Sequence, residues 1–112
     1  MINKPSFLQR LLSELPEAQE VVAEHLDDQD GELLLHLLMS DLLRFGVALY
    51  QGGKIDEAQR LLGFMDRCLL QGDEYVQNAV QVSFVEHYGY GPNEPESFLD
   101  LWPVGLRAEL ER

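Results

Sequence analysis

One stretch of the sequence, HLDDQDGELLLHLL at residues 25–38, has acidic and histidine side chains dense enough to suggest chemistry. A calcium loop of the EF-hand type needs oxygen ligands at positions 1, 3 and 5, glycine at position 6 and a bidentate glutamate at position 12. With the glycine at position 6, Asp28 and Asp30 stand at positions 3 and 5, but Leu26 and Leu37 stand at positions 1 and 12. The sequence therefore argues against a calcium loop, and we expect Asp28 or Asp30 to cap the N-terminus of the helix that follows.

A transition-metal site is the second chemistry that this stretch suggests. Glu32 and His36 are four residues apart, and Asp41 follows His36 by about a turn and a half of helix. A metal site needs three or four such groups to converge, and the HExxH and paired ExxH motifs are absent from the sequence. We therefore expect no metal ion and no other cofactor.

Nucleophilic catalysis has little support in the sequence. Cys68 is the single cysteine, a dyad between it and one of the three histidines would need an unusual fold, and no G-x-S-x-G motif occurs. The segments QGGK and GYGP lack the lysine and helix arrangement of a phosphate-binding loop. We predict that the protein is not an enzyme and that Cys68, among apolar neighbours, is a buried core residue.

Proline and glycine signals divide the chain into helices that would position these residues. The predicted segments are residues 5–15, 17–25, 32–51, 55–71 and 74–88, followed by the loop GYGPNEPES at 89–97 and a short closing helix or turn over 98–111. A lone strand would have no partner elsewhere in the chain, so the valine-rich fifth segment is predicted as a helix. We predict an all-α, compact bundle of five to six short helices, formed by residues 1–112 as a single domain.

The third segment is apolar on most of its faces, which is typical of a central helix surrounded by others. Four polar residues recur every fourth position along it: Glu32, His36, Ser40 and Arg44. Asp41 can pair with Arg44 three residues later. Because burying such groups unpaired is costly, they are either solvated, paired with one another or held for a partner.

The segment ALYQGGKIDEAQRLL, residues 48–62, looks like the junction between the two helices of a tetratricopeptide repeat. No second copy follows at a spacing of about 34 residues, and such arrays need roughly three repeats to bury their faces. We interpret the segment as a single hairpin of two helices.

Charge is the strongest global feature of the chain. Twenty acidic residues against eight basic ones give a net charge of −12, and between Glu14 and Asp41 there are nine acids and no Lys or Arg. Such a field repels nucleic acid and anionic membrane surfaces, and it attracts basic partners. The alternative is that the acidity serves solubility alone.

The region after Gly72 carries a second set of polar and aromatic residues: Asp73, Tyr75, Asn78, Glu86, His87, Tyr88 and Tyr90, with Trp102 nearer the C-terminus. Tyr and Trp are favoured anchors at protein interfaces, and they are equally common at the edges of cores. This set is the second candidate binding surface.

The segments DGELLLHLLMSDLLRF (residues 30–45) and GDEYVQNAVQVSFVEHY (residues 72–88) resemble a family of small, acidic, all-helical bacterial proteins of uncharacterised domain type. The positions that match its recurrent polar residues are His36, Asp41, Asn78, Ser83 and Glu86. Such families often accompany genes for polymorphic toxins or secreted effectors, so the resemblance implies an immunity protein.

We therefore expect a cytoplasmic immunity protein that neutralises a cognate toxin or effector domain by occluding its active site with an acidic surface, and the sequence is compatible with a homodimer. The alternative is a regulatory or adaptor module that binds a peptide or helix in a groove near Tyr50 and Tyr88. The expected partner-binding residues are Glu24, Asp27, Asp28, Asp30, Glu32, His36, Asp41, Tyr75, Asn78, Glu86 and Tyr88.

Overall fold

Six α-helices form most of the computed structural model, which describes residues 1–88 and 95–111. Their bounds are Lys4–Glu14 (α1), Gln19–Asp28 (α2), Leu35–Gln51 (α3), Ile55–Gln71 (α4), Glu74–Val80 (α5) and Val104–Leu110 (α6). Short 3₁₀ helices span Pro16–Ala18 and Glu96–Leu101, and a π-helical turn spans Gln81–Val85. The described residues contain no strand, so the all-α prediction is confirmed. None of the helices in these ranges is long and apolar enough to cross a membrane.

The start of α1 is fixed by a reciprocal pair of hydrogen bonds. Asn3 Oδ1 accepts from the Ser6 amide at 3.0 Å, and Ser6 Oγ accepts from the Asn3 amide at 3.1 Å. This is a capping box, which satisfies two amide groups that the first turn leaves free. Ile2 precedes it, is buried, and exchanges backbone hydrogen bonds with Gln71 and Asp73, so the N-terminal segment is held against the α4–α5 turn.

The acidic turn between α2 and α3 ends one helix and does not cap the next. Asp30 adopts a left-handed φ of +56°, and the Gly31 amide donates to the Leu26 carbonyl at 2.7 Å, which is the pattern of a Schellman C-terminus. The helix α2 therefore runs to Asp28, three residues beyond its predicted end. The prediction that Asp28 or Asp30 caps the central helix is wrong, because Leu34 precedes α3 without a side-chain cap.

The helix α3 is central, as predicted from its leucine content, and packs against α2, α4, α5 and the π-helical turn. It begins at Leu35, three residues later than predicted. It ends in a second Schellman pattern, in which the Lys54 amide donates to the Leu49 carbonyl at 2.8 Å and Gly53 has a φ of +79°. The next helix, α4, has the predicted bounds, so the predicted hairpin of two helices is present.

The fifth segment is helical, as predicted, but it changes its winding. Asp73 caps α5, because its Oδ1 accepts from the Val76 amide at 2.9 Å. The α-helical hydrogen bonding stops at Val80, and the Glu86 amide then donates to the Gln81 carbonyl at 3.0 Å, which is the i→i+5 pattern of a π helix. The predicted single helix to Tyr88 is therefore too long.

The C-terminal segment closes the core. Phe98, Trp102 and Leu106 are buried, and the Phe98 ring packs against the rings of Tyr50 and Tyr88 with centroids 5.5 and 6.3 Å apart. The predicted closing element begins two residues early, at Glu96, and is a 3₁₀ helix followed by α6. The first six residues of the predicted loop, 89–94, lie outside the described residues.

Candidate protein-binding surface

Five carboxylates at the end of α2 and in the following turn form what we call the acidic edge: Glu24, Asp27, Asp28, Asp30 and Glu32. All five side chains are exposed. Within residues 1–88 and 95–111, no Lys or Arg forms an ion pair with any of them. The acidic edge therefore presents charge that the described chain does not neutralise.

The ion pairs of α4 lie elsewhere, within that helix and with residues at the end of α1 or just after it. Arg60 binds Glu17 at 2.8 Å and Glu57 at 3.6 Å, and it also donates to the Glu14 carbonyl at 3.2 Å. Arg67 binds the Glu14 carboxylate. These arginines neutralise carboxylates near the α1–α4 contact, whereas the carboxylates of the acidic edge have no such partner among the described residues.

His25 connects α2 to the start of α3. The residue is 3% exposed, and its Nε2 accepts a hydrogen bond from the Leu34 amide at 3.1 Å. An Nε2 that accepts requires the proton of the neutral ring to be on Nδ1, which lies 3.5 Å from Asp41 Oδ2. His25 is not among the residues expected from the sequence to bind a partner. Its spacing of three and four residues after Val22 and Val21 would have placed it on the apolar face of α2.

Asp41 lines a cleft together with two residues of the acidic edge, Glu24 and Asp28. Its Oδ1 binds the Arg44 guanidinium, so the predicted pairing three residues apart is present. The pair lies in an open cleft of about 300 Å³ between α2 and α3, which is lined by Val21, Glu24, His25, Asp28, Asp41, Arg44 and Phe45. The structure thus joins Asp41 to two members of the acidic edge.

The polar residues of α3 divide between two neighbours. His36 Nδ1 lies 2.7 Å from Ser83 Oγ, and Ser40 Oγ donates to the Ser83 carbonyl at 3.3 Å, so both residues bind the π-helical turn. Arg44 instead lies on the α2 side, and Glu32 is exposed before the helix begins. For His36, Ser40 and Arg44, pairing within the fold is the alternative that the structure supports.

The second candidate surface is only partly assembled. Tyr75 stacks on His36 with ring centroids 5.9 Å apart, and the Lys4 ammonium lies 5.7 Å from the Tyr75 ring centre. Asn78 is exposed on α5. Glu86 borders a different cleft, which also includes Glu109 of α6.

Tyr88 has a clear packing role. Its hydroxyl donates to the Pro95 carbonyl at 2.8 Å, and its ring packs against Phe98 and Trp102. Tyr90, which belongs with Tyr88 to the second candidate surface, lies outside the described residues. The expected site residues therefore occupy several separate places, and the acidic edge with Asp41 is the largest set that is brought together.

Metal and thiol chemistry gain no geometric support. In the described ranges, no three or more His, Cys, Asp or Glu side chains are arranged to hold a metal ion. Cys68 is buried in the core, and this burial raises the pKa of its thiol to about 12. A thiol with such a pKa is almost entirely protonated at neutral pH, so it is a poor nucleophile.

Comparison with known proteins identifies a family without an assigned activity. The family described as Domain of unknown function (DUF7674) matches residues 8–112. No curated protein and no solved structure matches the chain. Because the match covers nearly all of the sequence, including every helix from α2 onward, the chain belongs to the DUF7674 family.

Proposed function

We propose that the protein is a bacterial immunity protein, which binds a cognate toxin or effector domain and occludes its active site through the acidic edge. The observation that carries this proposal is the set of five exposed carboxylates without a basic partner in the described chain. Charge of one sign concentrated on one surface speeds association with a surface of opposite sign. Toxins that act on nucleic acids or nucleotides need basic clefts, so they are the class of partner that this edge fits.

The backbone beneath the acidic edge supports a binding role. Glu24, Asp27 and Asp28 lie on α2, and the Gly31 and Asp30 amides are both engaged by α2 carbonyls, at 2.7 and 3.4 Å. A hydrogen-bonded turn fixes the backbone that carries these carboxylates, which lowers the entropy lost when a partner binds.

The adaptor alternative is less well supported by the packing. Its expected groove lies near Tyr50 and Tyr88, and Phe98 of the same chain packs against both rings. The Tyr50 hydroxyl also donates to Ser97 Oγ at 2.7 Å. The C-terminal segment therefore already occupies part of the place where a peptide would bind.

Co-purification with the product of the neighbouring gene tests the proposal. The protein is co-expressed with that product and captured at about 50 and about 500 mM salt. The Debye length, over which charges interact, falls severalfold between these two concentrations. We expect capture at low salt, weaker capture at high salt, and loss of the toxin's activity in the complex. Absence of binding at low salt, or binding that ignores salt, contradicts the proposal.

A charge-matched pair of variants locates the surface. One variant neutralises the acidic edge as Glu24→Gln, Asp27→Asn, Asp28→Asn, Asp30→Asn and Glu32→Gln. The control neutralises five exposed acids elsewhere, as Asp56→Asn, Glu74→Gln, Glu96→Gln, Asp100→Asn and Glu111→Gln. Both variants lose five negative charges, so a larger loss of capture in the first assigns binding to the acidic edge. Equal losses would mean that net charge alone attracts the partner.

A further inference from the structure

We infer that the cleft between α2 and α3 receives an arginine side chain from the partner protein. This inference rests on the proposed function and names the contact at its centre. The cleft holds about 300 Å³ and opens beside the acidic edge. Central pockets that bury one anchor side chain supply much of the affinity of protein interfaces, and arginine is among the commonest anchors.

The lining of the cleft suits a guanidinium group. Val21 and Phe45 are partly buried and provide an apolar surface, while Glu24 and Asp28 contribute carboxylates that have no ion-pair partner among the described residues. A guanidinium has weakly hydrated flat faces and five N–H donors in its plane. It can therefore lie against the apolar surface while its edges donate to carboxylates, which a compact ammonium does less well.

Arg44 shows that the cleft accepts this group. Its guanidinium lies in the cleft on Asp41 Oδ1, but 65% of its side chain is exposed. An exposed ion pair between residues three apart contributes less than about 1 kcal/mol to stability. An incoming arginine can therefore take the place of Arg44 on Asp41. The other carboxylate oxygen of Asp41, Oδ2, lies 3.5 Å from Nδ1 of the buried His25 ring.

Leu37 extends the surface beyond the cleft. It is 50% exposed and lies four residues before Asp41, on the same side of α3. An exposed leucine one turn from a charged cleft provides the apolar contact that commonly surrounds an anchor at an interface. The surface formed by the cleft and Leu37 thus fits a partner whose surface has an apolar side chain beside the arginine.

A peptide titration tests the cleft without needing the natural partner. The ¹⁵N-labelled protein is titrated at low salt with the blocked tripeptide Gly-Arg-Gly, and separately with Gly-citrulline-Gly, which has nearly the same shape without the charge. We expect the arginine peptide to shift the amide signals of Val21, Asp41 and Phe45, and the citrulline peptide to leave them unchanged. Equal shifts with both peptides, or shifts spread evenly over exposed acids such as Glu74 and Glu96, would overturn the inference.

Removing the resident arginine gives a sharper result. Arg44→Gln should bind the arginine peptide about two- to fivefold more tightly, because the peptide no longer competes with an internal guanidinium. The control Arg107→Gln removes the same charge from an exposed position on α6 and should change the affinity by less than about twofold. Equal changes in affinity for the two variants would show that only net charge matters. That result would overturn the inference that the cleft binds arginine.

The two proposals fail separately. If the acidic-edge variant loses the toxin but the arginine peptide does not select the cleft, the cleft inference falls and the proposed function stands. If the peptide selects the cleft but no toxin is captured at low salt, the proposed function falls and the cleft stays a guanidinium site.

Discussion

The Leu34 amide donates to Nε2 of the buried His25, at 3.1 Å, although the two residues lie on opposite sides of the acidic turn. Leu34, the N-cap residue of α3, provides no side-chain cap, and this histidine of α2 supplies a hydrogen-bond acceptor at the start of the helix. The same ring places its Nδ1 towards Asp41 of α3. One side chain therefore joins the end of α2, the start of α3 and the floor of the cleft.

Replacing His25 should destabilise the protein more than replacing its charged neighbour. His25→Ala leaves the Leu34 amide without an acceptor and opens a cavity, so we expect the free energy of unfolding to fall by about 2 to 4 kcal/mol. The control Asp41→Asn keeps the shape of the side chain and removes its charge, whose ion pair with the mostly exposed Arg44 contributes little, so its loss should stay below about 1 kcal/mol. Urea denaturation followed by circular dichroism measures both values. Equal losses would show that His25 does not hold the α2–α3 junction.

Local features of the fold were predictable, and contacts between distant residues were not. The bounds of α4 and the end of α3 at Gln51 depend on neighbouring residues, and both were predicted correctly. The start of α3 was placed three residues early because its amide acceptor, His25, comes from another helix. Of the candidate site, the acidic edge was visible as charge, but the cleft needs the packing of α2 on α3, which no local pattern contains.

The π-helical turn illustrates the same limit. The residues from Gln81 to Val85 fit an α-helical pattern as well as a π-helical one, and nothing local separates the two. In the structure, Ser40 donates to the carbonyl of Ser83 within this turn, and His36 contacts the hydroxyl of the same residue. Two residues of α3 thus form hydrogen bonds with the π-helical turn. Each of them lies more than forty residues from Ser83 along the chain.

Asp30 should be replaceable by glycine with a gain in stability. Its φ of +56° is a left-handed conformation, in which glycine has no steric cost and an L-residue does. We expect Asp30→Gly to raise the free energy of unfolding by about 0.5 to 1 kcal/mol, and Asp30→Ala to lower it. Asp27→Gly, inside α2, is the control and should destabilise the protein by about 1 kcal/mol. Thermal unfolding gives the order of the three variants, and a stabilising Asp27→Gly would contradict the assigned end of α2.

Two glycines at α4 should respond to alanine in opposite directions. A Cβ at Gly63 would meet only Arg67 Nη1, at 3.8 Å, whereas a Cβ at Gly72 would lie 2.4 Å from the Cys68 carbonyl oxygen and 2.8 Å from Val76 Cγ1. Gly63→Ala should therefore stabilise the protein by about 0.5 to 1 kcal/mol, since alanine favours a helix interior. Gly72→Ala should destabilise it by about 1 to 3 kcal/mol, because backbone must move. Urea denaturation measures both changes. If Gly72→Ala has the same free energy of unfolding as the wild type, the close approach of α5 to the end of α4 is contradicted.

The Cys68 thiol should be unreactive in the folded protein. Burial raises its pKa from 9.0 to about 12, so at pH 8 the folded chain carries far less thiolate than the unfolded chain. We expect little reaction with Ellman's reagent in buffer and complete reaction in 6 M guanidinium chloride. Rapid reaction of the folded protein would contradict the burial of Cys68.

The same pKa shift makes stability depend on alkaline pH. Because the folded pKa lies above the unfolded one, the contribution of Cys68 is fully present below pH 9 and is lost as the pH rises from 9.0 towards about 12. Other groups titrate in this range, so the measurement is the difference between the wild type and Cys68→Ala. We expect the wild type to lose more stability than the variant between pH 8 and pH 10.5 in urea denaturation, since only the wild type gains an unfolded-state thiolate. Parallel pH profiles for the two proteins would show that the thiol ionises equally easily in the folded and unfolded chains, which would place Cys68 outside the core.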